Sequence, residues 1–231
     1  MNLIETWGYC AEGKHRLLVY EYMEHGSLAE NLCSNKLGWK ERHDIALGTA
    51  KGLSYLHEEC LEWVLHCDVK PQNILLDSKY QPKVADFGLS KLLKRDAAQN
   101  SGFSRIRGTR GYMAREWVFN LPITSKVDVY SYGIVLLELI TGRNPTGIPS
   151  HTLGGLEQRR LVNWVKEKMH GVDGRAASLM EVVDPSLNGE FDVDKMRNLV
   201  KVALECAGED KDARPTMSQV VDMLLLQESD D

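Results

Sequence analysis

Two short segments hold the residues best suited to chemistry. His66-Cys67-Asp68-Val69-Lys70-Pro71-Gln72-Asn73 gathers an imidazole, a carboxylate, an ammonium and an amide, and Asp86-Phe87-Gly88 adds a second carboxylate after a spacer. Carboxylates and amides are oxygen ligands for a hard divalent cation. A carboxylate beside a hydroxyl can take its proton, and an ammonium offsets negative charge as it develops. Phosphoryl transfer from ATP asks a protein for little beyond such a set, since catalysis there is mainly positioning and charge neutralisation. Either tripeptide, His-x-Asp or Asp-Phe-Gly, also occurs as ordinary turn residues; their conjunction in this order carries the reading.

Short strands must hold up these loops. Trp63 to Leu65, Ile74 to Leu76 and Lys83 to Ala85 are brief apolar pieces bounded by Asp, Pro, Gly or Lys, the signature of strands that present functional loops. Upstream, Leu3 to Cys10 and Leu17 to Met23 predict an antiparallel pair. From Trp39 to Glu58, Ile45, Ala46, Ala50, Leu53 and Leu56 form one stripe, which predicts a long amphipathic helix. Periodicity vanishes from Leu93 to Gly111, as in a functional segment. Thr124-Ser125 then offers an N-cap to a helix apolar nearly all round, with Gly142 as its stop; such a helix belongs in a core. After a Gly/Pro/Ser/Thr-rich loop come three more helical patterns, Leu161 to Met169, Val193 to Ala207 and Thr216 to Gln227. The organisation is α+β and mainly helical.

The 231 residues, 43% hydrophobic and 26% charged, fit an ordinary globular chain with a sizeable core. A formal charge of -5 provides no broad basic field, so nucleic acid is not an expected partner. The five cysteines, Cys10, Cys33, Cys60, Cys67 and Cys206, lack zinc-site spacing and read as reduced thiols, mostly core filler. The apolar run Gly133 to Leu137 ends at Glu138, too short for a membrane span. The N-terminus lacks a basic region followed by an apolar stretch and does not read as a secretory signal.

The catalytic-loop segment resembles the protein-kinase pattern H-R-D-x-x-x-x-N at every position except the arginine, with DFG at the expected place downstream. Gly108-Thr109-Arg110-Gly111-Tyr112 precedes Ala114-Arg115-Glu116, which stands where kinases carry APE. Asp128-Val129-Tyr130-Ser131-Tyr132-Gly133 resembles the start of the central kinase helix, and Arg214-Pro215-Thr216-Met217 the segment whose arginine pairs with the APE glutamate. Leu18-Val19-Tyr20-Glu21-Tyr22-Met23, Gly26-Ser27-Leu28 and Gly52-Leu53-Ser54-Tyr55-Leu56-His57 are similar to plant receptor-like kinases. Glu62-Trp63-Val64-Leu65-His66-Cys67-Asp68 and the stretch from Trp117 to Thr124 resemble the S-locus-lectin (G-type lectin) receptor-like Ser/Thr kinases in particular.

The resemblance implies a protein-kinase-like α+β fold, with residues 1–23 a remnant of the β-rich N-lobe and hinge and residues 24–231 the helical C-lobe. It implies Asp68 as acceptor of the substrate hydroxyl's proton and Lys70 as the balancing cation. Asn73 and Asp86 would hold Mg²⁺, and backbone groups of Glu21 and Met23 would meet the adenine of ATP, with Tyr20 at the back of the pocket. Thr109 and Gly111 would face a protein substrate. His66, Phe87, Gly88, Glu116, Asp128 and Arg214 would serve structure, with Asp128 holding the loop backbone and Glu116 paired to Arg214. Cys67 replaces the arginine that clamps a phosphorylated activation loop, which implies ordering without that clamp. Ser101, Ser104 and Thr109 are candidate phosphorylation sites, and Arg105, Arg107, Arg110 and Arg115 a basic group suited to acidic substrates or to plain solvation. Arg115 in place of proline implies a looser segment.

No G-x-G-x-x-G and no V-A-I-K-like lysine precede the first strands. The chain therefore reads as an N-terminally truncated kinase domain. The resemblance implies a Ser/Thr protein kinase, with low or no activity expected of this fragment, and a catalytically weak or inactive binding module as the alternative. The resemblance implies the cytosol, at the cytoplasmic face of the plasma membrane in a full-length receptor-like kinase.

Overall fold

The computed structural model describes residues 1–93, 108–119, 121–145, 161–170 and 179–226. Ser101, Ser104, Arg105 and Arg107 lie outside them.

The chain opens with an antiparallel hairpin of β1 (Thr6–Glu12) and β2 (His15–Tyr20), closed at Gly13, whose φ of 53° suits a residue without Cβ. Both strands lie closer to the turn than the expected ranges: β1 starts three residues late and runs two past Cys10, and β2 starts two residues before Leu17 and stops three short of Met23, with Leu3 and Ile4 used elsewhere. Leu3 bridges Val84, and Ile4 donates to Val84 O at 2.9 Å. This tie fixes the N-terminal segment to the body of the protein. Both faces of the hairpin are exposed, including Trp7, Tyr9, Leu17 and Leu18.

Ser27 and Glu30 form a capping box that starts α1 (Leu28–Cys33), a helix the hydrophobic pattern did not reveal. The stripe from Trp39 forms α2 (Trp39–Ser54), but its last turn widens into a π-helix, Tyr55–Glu59, rather than running on as α-helix to Glu58. Two-stranded ribbons follow. β3 (Trp63–Leu65) pairs with β6 (Lys91–Leu93), and β4 (Ile74–Leu76) with β5 (Pro82–Val84), one residue earlier than the pattern placed it. β6 lay just ahead of the aperiodic stretch and was too short to register.

After α3 (Arg115–Val118) comes α4 (Lys126–Thr141), buried from Val127 to Thr141, as its nearly continuous apolar sequence requires. Ser125 is itself helical and caps nothing; the Thr124 hydroxyl instead accepts from the Lys126 amide at 3.3 Å. Gly142 ends the helix at φ 64°. The helix packs on α6 (Val193–Cys206), and α2 packs on α7 (Met217–Leu225). α4 and α6 approach closely at Gly133, where a Cβ would stand 2.8 Å from Ala207 N and from Cys206 Cβ. α5 (Leu161–His170) also lies against α4.

Arg42 of α2 is almost fully buried and offsets that cost by donating to Leu139 O and pairing with Asp184, both at 2.8 Å. The cysteines are all free: Cys67 and Cys206 are buried in the core and Cys60 packs against it, whereas Cys10 and Cys33 are exposed. No described helix is long and apolar enough to cross a membrane.

Candidate active site

The loop between β3 and β4 is hung from α4 by one carboxylate. Asp128 is fully buried; its Oδ1 accepts from Cys67 N at 2.8 Å, and its Oδ2 from His66 N at 2.7 Å. The π-helical turn brings His57 Nε2 within 2.9 Å of the same Oδ2. Burial works against ionisation of Asp128, but the His57 hydrogen bond and charge and the loop amides prevail and hold its pKa below the usual value. The two amide bonds hold Cys67 at φ 69°, a left-handed conformation that costs a Cβ-bearing residue energy. Burial also pushes the Cys67 thiol far above its ordinary pKa, so it remains a neutral filler that gives its hydrogen to Leu65 O at 3.5 Å.

His66 joins this loop to the next. Its Nδ1 accepts from Asp68 N at 3.2 Å, so Nε2 carries the hydrogen given to Ala85 O at 2.9 Å. Ala85 N in turn donates to Asn73 O at 2.8 Å. Asp86 follows at φ 63°, exposed, with Oδ1 accepting from Gly88 N at 3.2 Å. The Phe87 ring rests against His66, centroids 5.3 Å apart.

Asp68 stands at the centre. Its Oδ2 meets Lys70 Nζ at 2.5 Å and Asn73 Nδ2 at 3.2 Å, and its Oδ1 accepts from the Thr109 hydroxyl at 2.7 Å. Lys70 Nζ also donates to Thr109 Oγ1 at 2.9 Å. Burial raises the Asp68 pKa, but hydrogen bonds from Lys70 and Thr109 outweigh it and leave the group below the usual carboxylate range.

Asn73 and Asp86 form one wall of an open cleft of about 960 Å³, whose other lining includes Ile4, Tyr20, Glu21 and Met23. Glu21 N donates to Glu5 O at 3.1 Å, and Met23 O accepts from Gly26 N at 3.1 Å. The Glu21 carboxylate pairs with Lys83 at 3.2 Å. The Glu21 carbonyl and the Met23 amide are the backbone groups that remain for a ligand.

Beyond Thr109, Gly111 takes φ 98°, and Tyr112 turns inward to donate to Glu138 Oε2 at 2.6 Å. Burial lifts Glu138 to about 7 despite that bond. Glu116 and Arg214 meet in a buried bidentate pair at 2.5 and 3.2 Å. Arg115 opens α3 and reaches Glu209 at 3.3 Å.

The described residues assigned to catalysis and to nucleotide, metal and substrate binding thus fall along one path, from the Glu21 and Met23 wall through Asp86, Asn73, Asp68 and Lys70 to Thr109 and Gly111, with the Glu116–Arg214 pair beyond. His57, Tyr112 and Glu138 were not assigned roles from sequence. A histidine beside Leu56 on an apolar stripe, and a glutamate inside the apolar run of α4, were the available signals.

The protein kinase domain family matches residues 1–226. The chain belongs to the protein kinase family. A Zea mays protein named as a receptor protein kinase is 50% identical over 97% of this chain and 28% of its own length. Two Arabidopsis thaliana proteins named G-type lectin S-receptor-like serine/threonine-protein kinases are each 46% identical, one over 96% of this chain and 27% of itself, the other over 97% and 28%. The chain thus spans somewhat over a quarter of the length of these relatives.

Proposed function

We propose that this chain carries the phosphoryl-transfer machinery of a plant receptor-like Ser/Thr protein kinase, moving the γ-phosphoryl group of ATP to serine or threonine hydroxyls of protein substrates. The observation that supports it most is the Asp68 carboxylate held by Lys70, Thr109 and Asn73, with Asn73 continuing into the cleft that Asp86 shares. We read residues 1–23 as the hinge and strand portion and 24–231 as the helical lobe, working at the cytoplasmic face of the plasma membrane.

The donor set suits Mg²⁺, which keeps several waters and takes only one or two protein oxygens besides phosphate oxygens. Among the described residues no cluster of three or more His, Cys, Asp or Glu could make a full protein cage. Asn73 and Asp86 would hold the ion, which supplies charge neutralisation at the phosphates. The chain's own groups do the rest. The Glu21 carbonyl and Met23 amide orient the adenine. Asp68, ionised, accepts the hydrogen of the incoming hydroxyl and so fixes its line of approach. Lys70 places a positive charge beside the transferring group, and Thr109 locks the two together.

Incorporation of labelled phosphate into a generic protein substrate, abolished by Asp68→Ala, is the expected result. Absence of transfer above background by the unaltered chain overturns the proposal for this chain. Calorimetry with Mg-ATP checks the cleft separately, and Asp86→Ala removes the binding heat.

A further inference from the structure

The open cleft has two walls, and they come from separate elements. Glu21 and Met23 follow β2, whereas Asp86 follows β5 and Asn73 precedes β4. A ligand that spans the cleft is held well only where the walls keep a fixed separation. Residues 2–5 run between them. Val84 N donates to Asn2 O and Ile4 N to Val84 O, each at 2.9 Å, which seats this segment beside β5. At its other end Glu5 O accepts from Glu21 N at 3.1 Å, and Glu5 N donates to Glu21 Oε1 at 2.7 Å.

That same Oε1 stands 3.2 Å from Lys83 Nζ. Lys83 lies in β5 directly across from Leu75, so the two side chains share one face of the ribbon, and Leu75 lines the cleft. Both side chains of the ion pair are only 19% exposed, more sheltered than the open surface pairs that contribute almost nothing. The Glu21 carboxylate thus joins the first wall to the connecting segment and to the strand that runs into Asp86. Contact of the Glu21 carbonyl with a base uses none of this.

We propose that Glu21 and Lys83 are positioning residues for the nucleotide: their ion pair sets the separation between the wall that meets the base and the wall that meets the metal and phosphates. The proposal rests on the nucleotide reading of the cleft, which uses Glu21 only through its backbone and Lys83 not at all. A ligand that touches one wall gains nothing from the pair. One that bridges both gains affinity, because the two ends of its site are in place before it arrives.

The test is isothermal calorimetry on the full chain with two ligands, adenosine and Mg-ATP. Glu21→Gln keeps an acceptor for Glu5 N but discards the charge, and Lys83→Met keeps the stem but discards the cation. Each should weaken Mg-ATP about tenfold, the loss of one charge-assisted contact, and adenosine less than about twofold. The double variant should be no weaker than either single one, since both remove the same pair. Equal weakening of the two ligands, which a merely distorted base wall would give, overturns the proposal, as does unchanged Mg-ATP affinity or additive loss in the double variant. Failure of the unaltered chain to bind either ligand sinks the nucleotide reading instead. The clamp is then judged by hydrogen exchange alone: Lys83→Met should speed exchange at the Glu5 amide severalfold, and unchanged exchange there overturns it.

Discussion

At the residue scale, the arrangement turns on which groups keep Asp68 ionised and aimed. Thr109 bonds to both the carboxylate and Lys70. Thr109→Val removes a hydroxyl bonded to charged groups, and turnover should fall about tenfold or more with Mg-ATP affinity unchanged; Thr109→Ser should recover most of it. Steady-state kinetics beside calorimetry checks both. Asp128→Asn removes a negative charge that accepts from His57, His66 N and Cys67 N, and should cost about 3–5 kcal/mol in urea unfolding. Glu138 behaves oppositely with pH. Its folded pKa of about 7 lies above the ordinary 4.5, so the folded state holds the extra proton between those values. Its stability contribution is complete below about 4.5 and fades as pH rises through 7, a loss of about 3 kcal/mol. Urea midpoints from pH 5 to 8 should flatten in Glu138→Gln.

At the scale of elements, the contacts that matter are those that fix loops to helices. The Glu116–Arg214 pair ties α3 to the turn before α7 from inside the protein, where Arg214 side-chain exposure is 0%. Arg214→Met strands a buried carboxylate and should cost about 3–5 kcal/mol, read by thermal or urea unfolding. Gly133→Ala forces α4 away from α6 and should cost about 1–3 kcal/mol in the same assay. Sequence showed these elements unevenly. α4 and α6 were legible because a continuous apolar run and a clean stripe leave one reading, and Asp68, Asn73 and Asp86 because their spacing is rare. The π-helical turn was not legible, since Tyr55 to Glu59 carries the same stripe as an α-helix and only the pull of His57 onto Asp128 distinguishes them. Nor was the cap of α4, where the backbone at Ser125 had already become helical. Tyr112 and Glu138 escaped notice because a tyrosine in a loop and a glutamate in a helix are unremarkable until the fold places them 2.6 Å apart.

Across the whole molecule, protection is graded. The β1–β2 hairpin is exposed on both faces, whereas every residue of α4 from Val127 to Thr141 is buried. Hydrogen exchange should therefore run fastest in Thr6–Tyr20 and slowest in α4, with α4 amides opening only on global unfolding. Equal protection of the two regions would contradict this gradient. The suspension of two successive loop amides from Asp128 has a practical corollary. The loop hung from Asp128 goes slack only when the central rod softens, so a loss of the proposed transfer on warming that precedes melting should begin at the hairpin and the cleft wall it leads into, not at Asp68.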